Sequence, residues 1–225
     1  MTTTVTSILR DGVTAAGVYP TLAAWRAALP ANLVTADEIH ILNVEAKAGG
    51  YTGVTLDTTG ITTDATHYIK IQAAAGHRHA GVWDTNKALF VAPPGNATAF
   101  PMNTAYFYLD GIQVQHVGIT NGTSVFIVGS AAVSNATVVT GCIFKQQTSG
   151  GGGLGAVFAV YEGTAGRANL YLGSNLFLEA KNVEYPASYG TGGVALVYGH
   201  VFAYNNTFID VGFAFDGGSS TYQFL

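Results

Sequence analysis

A short pattern recurs along the chain at nearly constant spacing: Leu109-Asp110-Gly111-Ile112-Gln113-Val114, Val139-Thr140-Gly141-Cys142-Ile143-Phe144, Leu172-Gly173-Ser174-Asn175-Leu176-Phe177 and Ala203-Tyr204-Asn205-Asn206-Thr207-Phe208. Its last residues, 114, 144, 177 and 208, lie 30, 33 and 31 positions apart. A unit of this length cannot enclose a core of its own, and a fixed period is the signature of units that stack on one another. The fold must therefore be read from the stack.

Each unit opens with a β-rich run (Tyr106 to Leu109, Thr137 to Val139, Leu170 to Leu172, Val201 to Ala203), turns at Gly, Ser or Asn, and resumes with an apolar strand. Second runs follow at Val125-Phe126-Ile127-Val128, Val157-Phe158-Ala159-Val160 and Val194-Ala195-Leu196-Val197. Helical periodicity is absent, so one period holds two or three short strands joined by Gly- and Asn-rich corners. This is the layout of a parallel β-solenoid. It predicts that Val114, Phe144, Phe177 and Phe208 form one internal column, with rungs about 4.8 Å apart and about 1.5–3 kcal/mol from burial of each ring. Cys142 is the single cysteine and reads as a small core residue.

These rungs, with their Gly/Asn corners and inward ladders, resemble the right-handed parallel β-helix proteins of the pectate-lyase-like superfamily, over residues 37 to 225. The segments Thr63-Asp64-Ala65-Thr66-His67-Tyr68-Ile69 and Gly76-His77-Arg78-His79-Ala80-Gly81-Val82-Trp83-Asp84 are similar to the opening of β-helix proteins encoded by bacteriophages and marine bacteria. The resemblance implies an all-β, right-handed parallel β-helix. That superfamily contains polysaccharide lyases and hydrolases, tailspikes, adhesins and purely structural stacks, so its fold does not choose an activity.

The N-terminal region reads differently. After Pro20, the stretch Thr21 to Leu29 places Leu22, Trp25 and Leu29 on one face of a short helix, with Pro favoured in the first turn. An amphipathic helix there would lid the first coil, covering its core and unpaired edge. The expected organisation is an arm over 1–12, a capping region over 13–36 and the β-helix over 37–225. At the other end, Ser219-Ser220-Thr221-Tyr222-Gln223-Phe224-Leu225 follows strand-like Phe213-Ala214-Phe215 without a lid, so either a longer β-helix or a neighbouring copy is expected to cover that end.

Composition favours a neighbour. Only 10% of residues are charged and 48% are hydrophobic, against roughly 25% charged in ordinary soluble domains. The second strands are apolar at successive positions, where a wall facing water should alternate. The residues expected between copies are Val125, Phe126, Ile127 and Val128, then Val157, Phe158 and Val160, then Val194 and Leu196, and Phe213, Phe215, Phe224 and Leu225 in the terminal coil. The opening runs carry a second ambiguity: Tyr108, Val138, Tyr171 and Phe202 are opposite in phase to Phe107, Thr137, Leu170 and Val201, and one set must point outward. Outward apolar ladders usually mark interfaces.

A net charge of −4 without a basic stripe argues against nucleic acid, and no apolar run reaches membrane length. No cofactor and no metal are expected: His77 and His79 are two apart with Asp84 behind them, but a polar corner accounts for them. Catalysis would need carboxylates in one column. Two positions beyond the aromatic column lie His116, Gln146, Glu179 and Asp210. Glu179 and Asp210 would be adjacent if the rungs are in register, but a solvated strand end is the preferred reading, since the pattern of clustered Asp with a nearby Arg or Lys is missing. The reading is a structural or adhesive subunit of a virion or extracellular fibre, an assembly of its own copies rather than an enzyme. The alternative is a glycan-active enzyme or depolymerase acting on surface polysaccharide, with Glu179 and Asp210 as carboxylates and Tyr108 and Tyr171 as sugar-stacking rings.

Overall fold

Strands separated by tight corners point in different directions and cannot pair as hairpins. Each must therefore pair with its counterpart one repeat away, running the same way. The computed structural model describes residues 1–94, 100–102, 104–119, 126–128, 135–148, 156–160, 168–181, 192–196, 200–209, 213–216 and 223–224, with side chains described for 1–94, 100–102, 104–116, 136–146, 169–178 and 201–209.

The chain begins with β1 (Thr3–Leu9), β2 (Val18–Tyr19), helix α1 (Leu22–Ala28), helix α2 (Leu33–Ala36), β3 (Glu38–Val44) and β4 (Tyr51–Thr52). It then winds in threes: β5 (Ile69–Ala73), β6 (Leu89–Val91) and β7 (Phe100–Met102); β8 (Tyr106–Asp110), β9 (Gln113–Ile119) and β10 (Phe126–Val128); β11 (Asn135–Thr140), β12 (Ile143–Thr148) and β13 (Ala156–Val160). The winding continues with β14 (Ala168–Gly173), β15 (Leu176–Lys181) and β16 (Gly192–Leu196), then β17 (His200–Tyr204), β18 (Thr207–Ile209) and β19 (Phe213–Asp216), and ends at β20 (Gln223–Phe224). Three sheets result, of nine strands (β2-β1-β3-β5-β8-β11-β14-β17-β20), six (β18-β15-β12-β9-β6-β4) and five (β19-β16-β13-β10-β7). The pairings between these strands are parallel. The protein is an all-β parallel β-solenoid.

The predicted column is in register and longer than expected: Tyr51, Phe90, Val114, Phe144, Phe177 and Phe208 pair in succession. Phe144 stacks on Phe177 at 5.2 Å between centroids, and Phe177 on Phe208 at 4.7 Å. The corner between the nine- and six-stranded sheets is equally regular. Gly111, Gly141, Ser174 and Asn205 all adopt left-handed φ, at 68°, 56°, 55° and 52°, which turns the chain sharply at a single residue.

The residue after each corner faces inward, and where it is asparagine it bonds the rungs together. Asn175 Oδ1 accepts the Cys142 N–H at 2.9 Å, and Asn175 Nδ2 donates to the Val139 carbonyl and to Asn206 Oδ1, each at 3.0 Å. Asn206 Nδ2 in turn donates to the Leu172 carbonyl at 3.0 Å.

Three expectations are corrected. Residues 1–12 are not an arm: Thr3–Leu9 pairs along its whole length with Glu38–Val44 as a rung of the nine-stranded sheet. Buried Ser7 and exposed Thr4 and Thr6 blur the alternation that would have disclosed it. Pro20 stands outside the first turn of α1, because Thr21 is the N-cap and its hydroxyl accepts the Ala24 N–H at 3.1 Å. Val194 aligns with Phe126 and Phe158 rather than with Val125 and Val157. That column continues to Phe215 and back to buried Phe100.

Leu22, Trp25 and Leu29 are buried in the same core cluster as the inward residues of the coils. Leu33 of α2 is also fully buried there.

Candidate functional site

Strand alternation sends one set of side chains in the opening runs inward and the other outward. Phe107, Thr137, Leu170 and Val201 are buried, so Tyr108, Val138, Tyr171 and Phe202 form the outward ladder and are half-buried by one another. Pairing extends this column through Lys70 and Ile41 to Thr6. Tyr68 lies against Tyr108 with centroids 4.7 Å apart, and Tyr171 stacks on Phe202 at 4.8 Å with 11° between planes. Burial, followed by the neighbouring phenols of Tyr68 and Tyr106, raises the pKa of Tyr108.

A polar column runs beside the ladder through Asn43, Gln72, Asp110 and Thr140. Gln72 Nε2 donates to Asn43 Oδ1 at 2.9 Å. Asp110 is held by Arg78 at 2.8 Å, by Lys70 at 3.6 Å and by the Thr140 hydroxyl at 3.4 Å. Arg78 reaches it by lying over two corner glycines: a Cβ on Gly111 would come within 2.8 Å of the guanidinium, and one on Gly141 would meet it closer still. Two cations thus converge on the single carboxylate of this polar column. Sequence reasoning missed the Arg78–Asp110 clamp; the signal was the glycine at both corners that Arg78 crosses.

The other candidates do not converge. His77 Nδ1 accepts the Ala46 N–H at 3.0 Å, and His79 Nδ1 accepts the Gly81 N–H at 3.1 Å. The Asp84 carboxylate accepts the Asn86 N–H at 2.9 Å, while its backbone exchanges bonds with the Gln113 amide at 2.8 and 2.7 Å. Burial lowers the pKa of His79. Among the described residues no group of three His, Cys, Asp or Glu side chains is placed to hold a metal, and no helix is long and apolar enough to cross a membrane.

His116 and Gln146 are 1% exposed, so their position is interior rather than a solvated strand end. Two residues beyond an inward ring is again inward. Between β12 and β15 the register shifts, with Lys145 opposite Leu178 but Gln147 opposite Lys181, so Gln146 faces an extra residue and Glu179 does not continue the column in simple register. The side chain of Glu179, together with Asp210, Val125 and Leu225, lies outside what is described, as do the side chains of Phe126, Ile127, Val128, Val157, Phe158, Val160, Val194, Leu196, Phe213, Phe215 and Phe224.

Two clefts flank α1. One of about 280 Å³ lies between Asp11, Thr21, Lys47, Tyr51 and Thr55, and one of about 260 Å³ between Val5, Tyr19, Trp25, Leu29 and His40. Lys47 in the first is paired with Asp11 at 2.9 Å, and in the second the Glu38 carboxylate meets the His40 ring at 2.8 Å. In comparisons with known proteins, no family model matches the chain, and no curated protein or solved structure matches it.

Proposed function

We propose that the protein is a structural or adhesive solenoid subunit, of a virion or an extracellular fibre, that assembles with other copies of itself. The observation that carries this reading is the outward ladder Ile41, Tyr108, Val138, Tyr171 and Phe202 on the nine-stranded sheet. It runs unbroken from Tyr108 to Phe202, with Lys70 between Tyr108 and Ile41, and the neighbouring Asp110 carboxylate is engaged by Arg78 and Lys70. Water penalises such surface by roughly 25 cal/mol per Å², and a flat ladder is readily covered by a second one. A chain with 10% charged residues offers little else to keep copies apart.

The glycan-active alternative is less well supported. A sugar stacks on an open ring face, whereas Tyr171 and Phe202 turn their faces toward each other at 11°. Light scattering and sedimentation test the reading. The native protein should form oligomers or polymers, and Val138→Glu or Tyr171→Glu should give soluble small species with the same circular dichroism. A native preparation that sediments as a monomer at micromolar concentration, with no larger species by negative-stain imaging, overturns self-assembly. Cleavage of a surface polysaccharide that disappears in Asp210→Asn would favour the enzyme instead.

A further inference from the structure

One imidazole ties together three segments at the N-terminal end. Asp37, the C-cap of α2, is left-handed at φ 57°. Its carbonyl accepts the Thr3 N–H of β1 at 2.8 Å, and its carboxylate lies 3.6 Å from the Met1 ammonium. Asp64 organises the turn leading into β5, accepting the Thr66 and His67 N–H groups at 2.8 Å each. His67 sits between the two carboxylates, with Nδ1 2.8 Å from Asp64 Oδ1 and Nε2 3.1 Å from Asp37 Oδ1.

Both ring nitrogens face carboxylate oxygens, and only the imidazolium can donate from both. A neutral ring keeps one of these bonds. If Nδ1 is the bare nitrogen, its remaining donor is the Thr66 hydroxyl 3.1 Å away, which is also 2.9 Å from Asp64 Oδ1. We propose that His67 is a protonation-controlled latch that fastens the N-terminal cap and first rung to the solenoid when charged and loosens them when neutral. The ring is 14% exposed while Asp64 and Asp37 are 42% and 51% exposed, so the cation is shielded and its partners remain hydrated enough to stay ionised.

The signs are opposite for the two kinds of group. Hydrogen bonds to Asp37 and then Asp64 raise the pKa of His67 above its ordinary 6.5. Its stabilisation is complete below that value and is lost as pH rises through the raised, folded-state value. Asp37 is lowered, first by its bond to His67. For Asp64, burial acts upward but the bonds from Thr66 and His67 outweigh it and bring it to about 2. The carboxylate contributions are lost only as pH falls through those depressed values. The latch is therefore strongest between the ordinary values of 3.8 for the carboxyls and 6.5 for the imidazole, and it opens on the alkaline side as pH passes the raised His67 value. Other charges on adjoining strands are engaged elsewhere, Glu38 with His40 at 2.8 Å and Lys70 near Asp110 at 3.6 Å.

Hydrogen exchange of the Thr3–Leu9 amides, corrected for the intrinsic rate and followed from about pH 5 to beyond about pH 8, tests this. Protection should fall on the alkaline side in the native protein, become flat in His67→Gln, and keep its alkaline loss in His40→Gln. An alkaline loss that survives in His67→Gln, or protection independent of pH in the native protein, overturns the proposal. If His67→Gln does not fold, NMR titration of the native His67 ring decides: a midpoint above 6.5 that drops in Asp64→Asn is expected, and a midpoint at or below it refutes the latch.

Discussion

Phe177 and Phe208, one repeat apart, lie with ring centroids 4.7 Å apart and 8° between planes. Phe144 covers the other face of Phe177 at 5.2 Å. Phe177 is fully buried, whereas Phe208 is only partly so. Phe177→Ala should cost about 3–5 kcal/mol through lost burial and a cavity, and Phe208→Ala clearly less. Urea unfolding measures both. Equal costs would show that the stack does not close on Phe177 as described.

The amide ladder makes a second ordering. Asn175→Ala strands the buried Cys142 N–H, at about 1–3 kcal/mol for the unsatisfied group, and removes the amide bond to the Val139 carbonyl. Asn206 is only partly buried, so water can replace its bonds to the Leu172 carbonyl and to the Asn175 N–H. The denaturation midpoint should fall further in Asn175→Ala than in Asn206→Ala; the reverse order would contradict the ladder.

Gly141 is left-handed at φ 56°, the conformation that Ser174 and Asn205 adopt at the same corner one and two repeats on. Left-handed backbone costs most L-residues about 1–2 kcal/mol, and Asn tolerates it best. A Cβ there also displaces the end of Arg78, which is flexible, so the loss of its exposed pair with Asp110 adds little. Thermal unfolding should rank the stabilities as native, then Gly141→Asn, then Gly141→Val. A Val variant as stable as the Asn variant would remove the conformational argument.

Cys142 is buried, and burial pushes its thiol pKa up to about 12. The thiolate is the reactive form, so a thiol reagent at neutral pH should leave the folded protein unmodified and label it only as it unfolds. Labelling of the native protein at the rate of a free thiol would place Cys142 outside the core.

Much of the fold is legible from spacing. The four hexads align at one inward ring and one left-handed corner, and the pairings of Val114, Phe144, Phe177 and Phe208 follow directly. The candidate site is only half legible. Period-two alternation separates Tyr108, Val138, Tyr171 and Phe202 from Phe107, Thr137, Leu170 and Val201, but both sets are apolar enough to be core, so the outward one could not be chosen. The bulge opposite Gln146 was equally hidden, because an extra residue in β15 changes register without changing composition.

The sequence by itself determined a parallel stack of short strands, since repeats near thirty residues long with β-rich runs between glycine and asparagine corners leave room within the repeat for neither a hairpin sheet nor a helix. Tertiary structure alone decided three things: that Thr3–Leu9 is a rung, that Arg78 crosses two corners to Asp110, and that His67 stands between Asp37 and Asp64. The reason is physical. Strand period and corner residues are local preferences, written into every unit and reinforced by repetition. Apart from His67 with Asp64, which are three residues apart, these contacts join segments about thirty residues or more apart, and the closing of the coils brings their partners together.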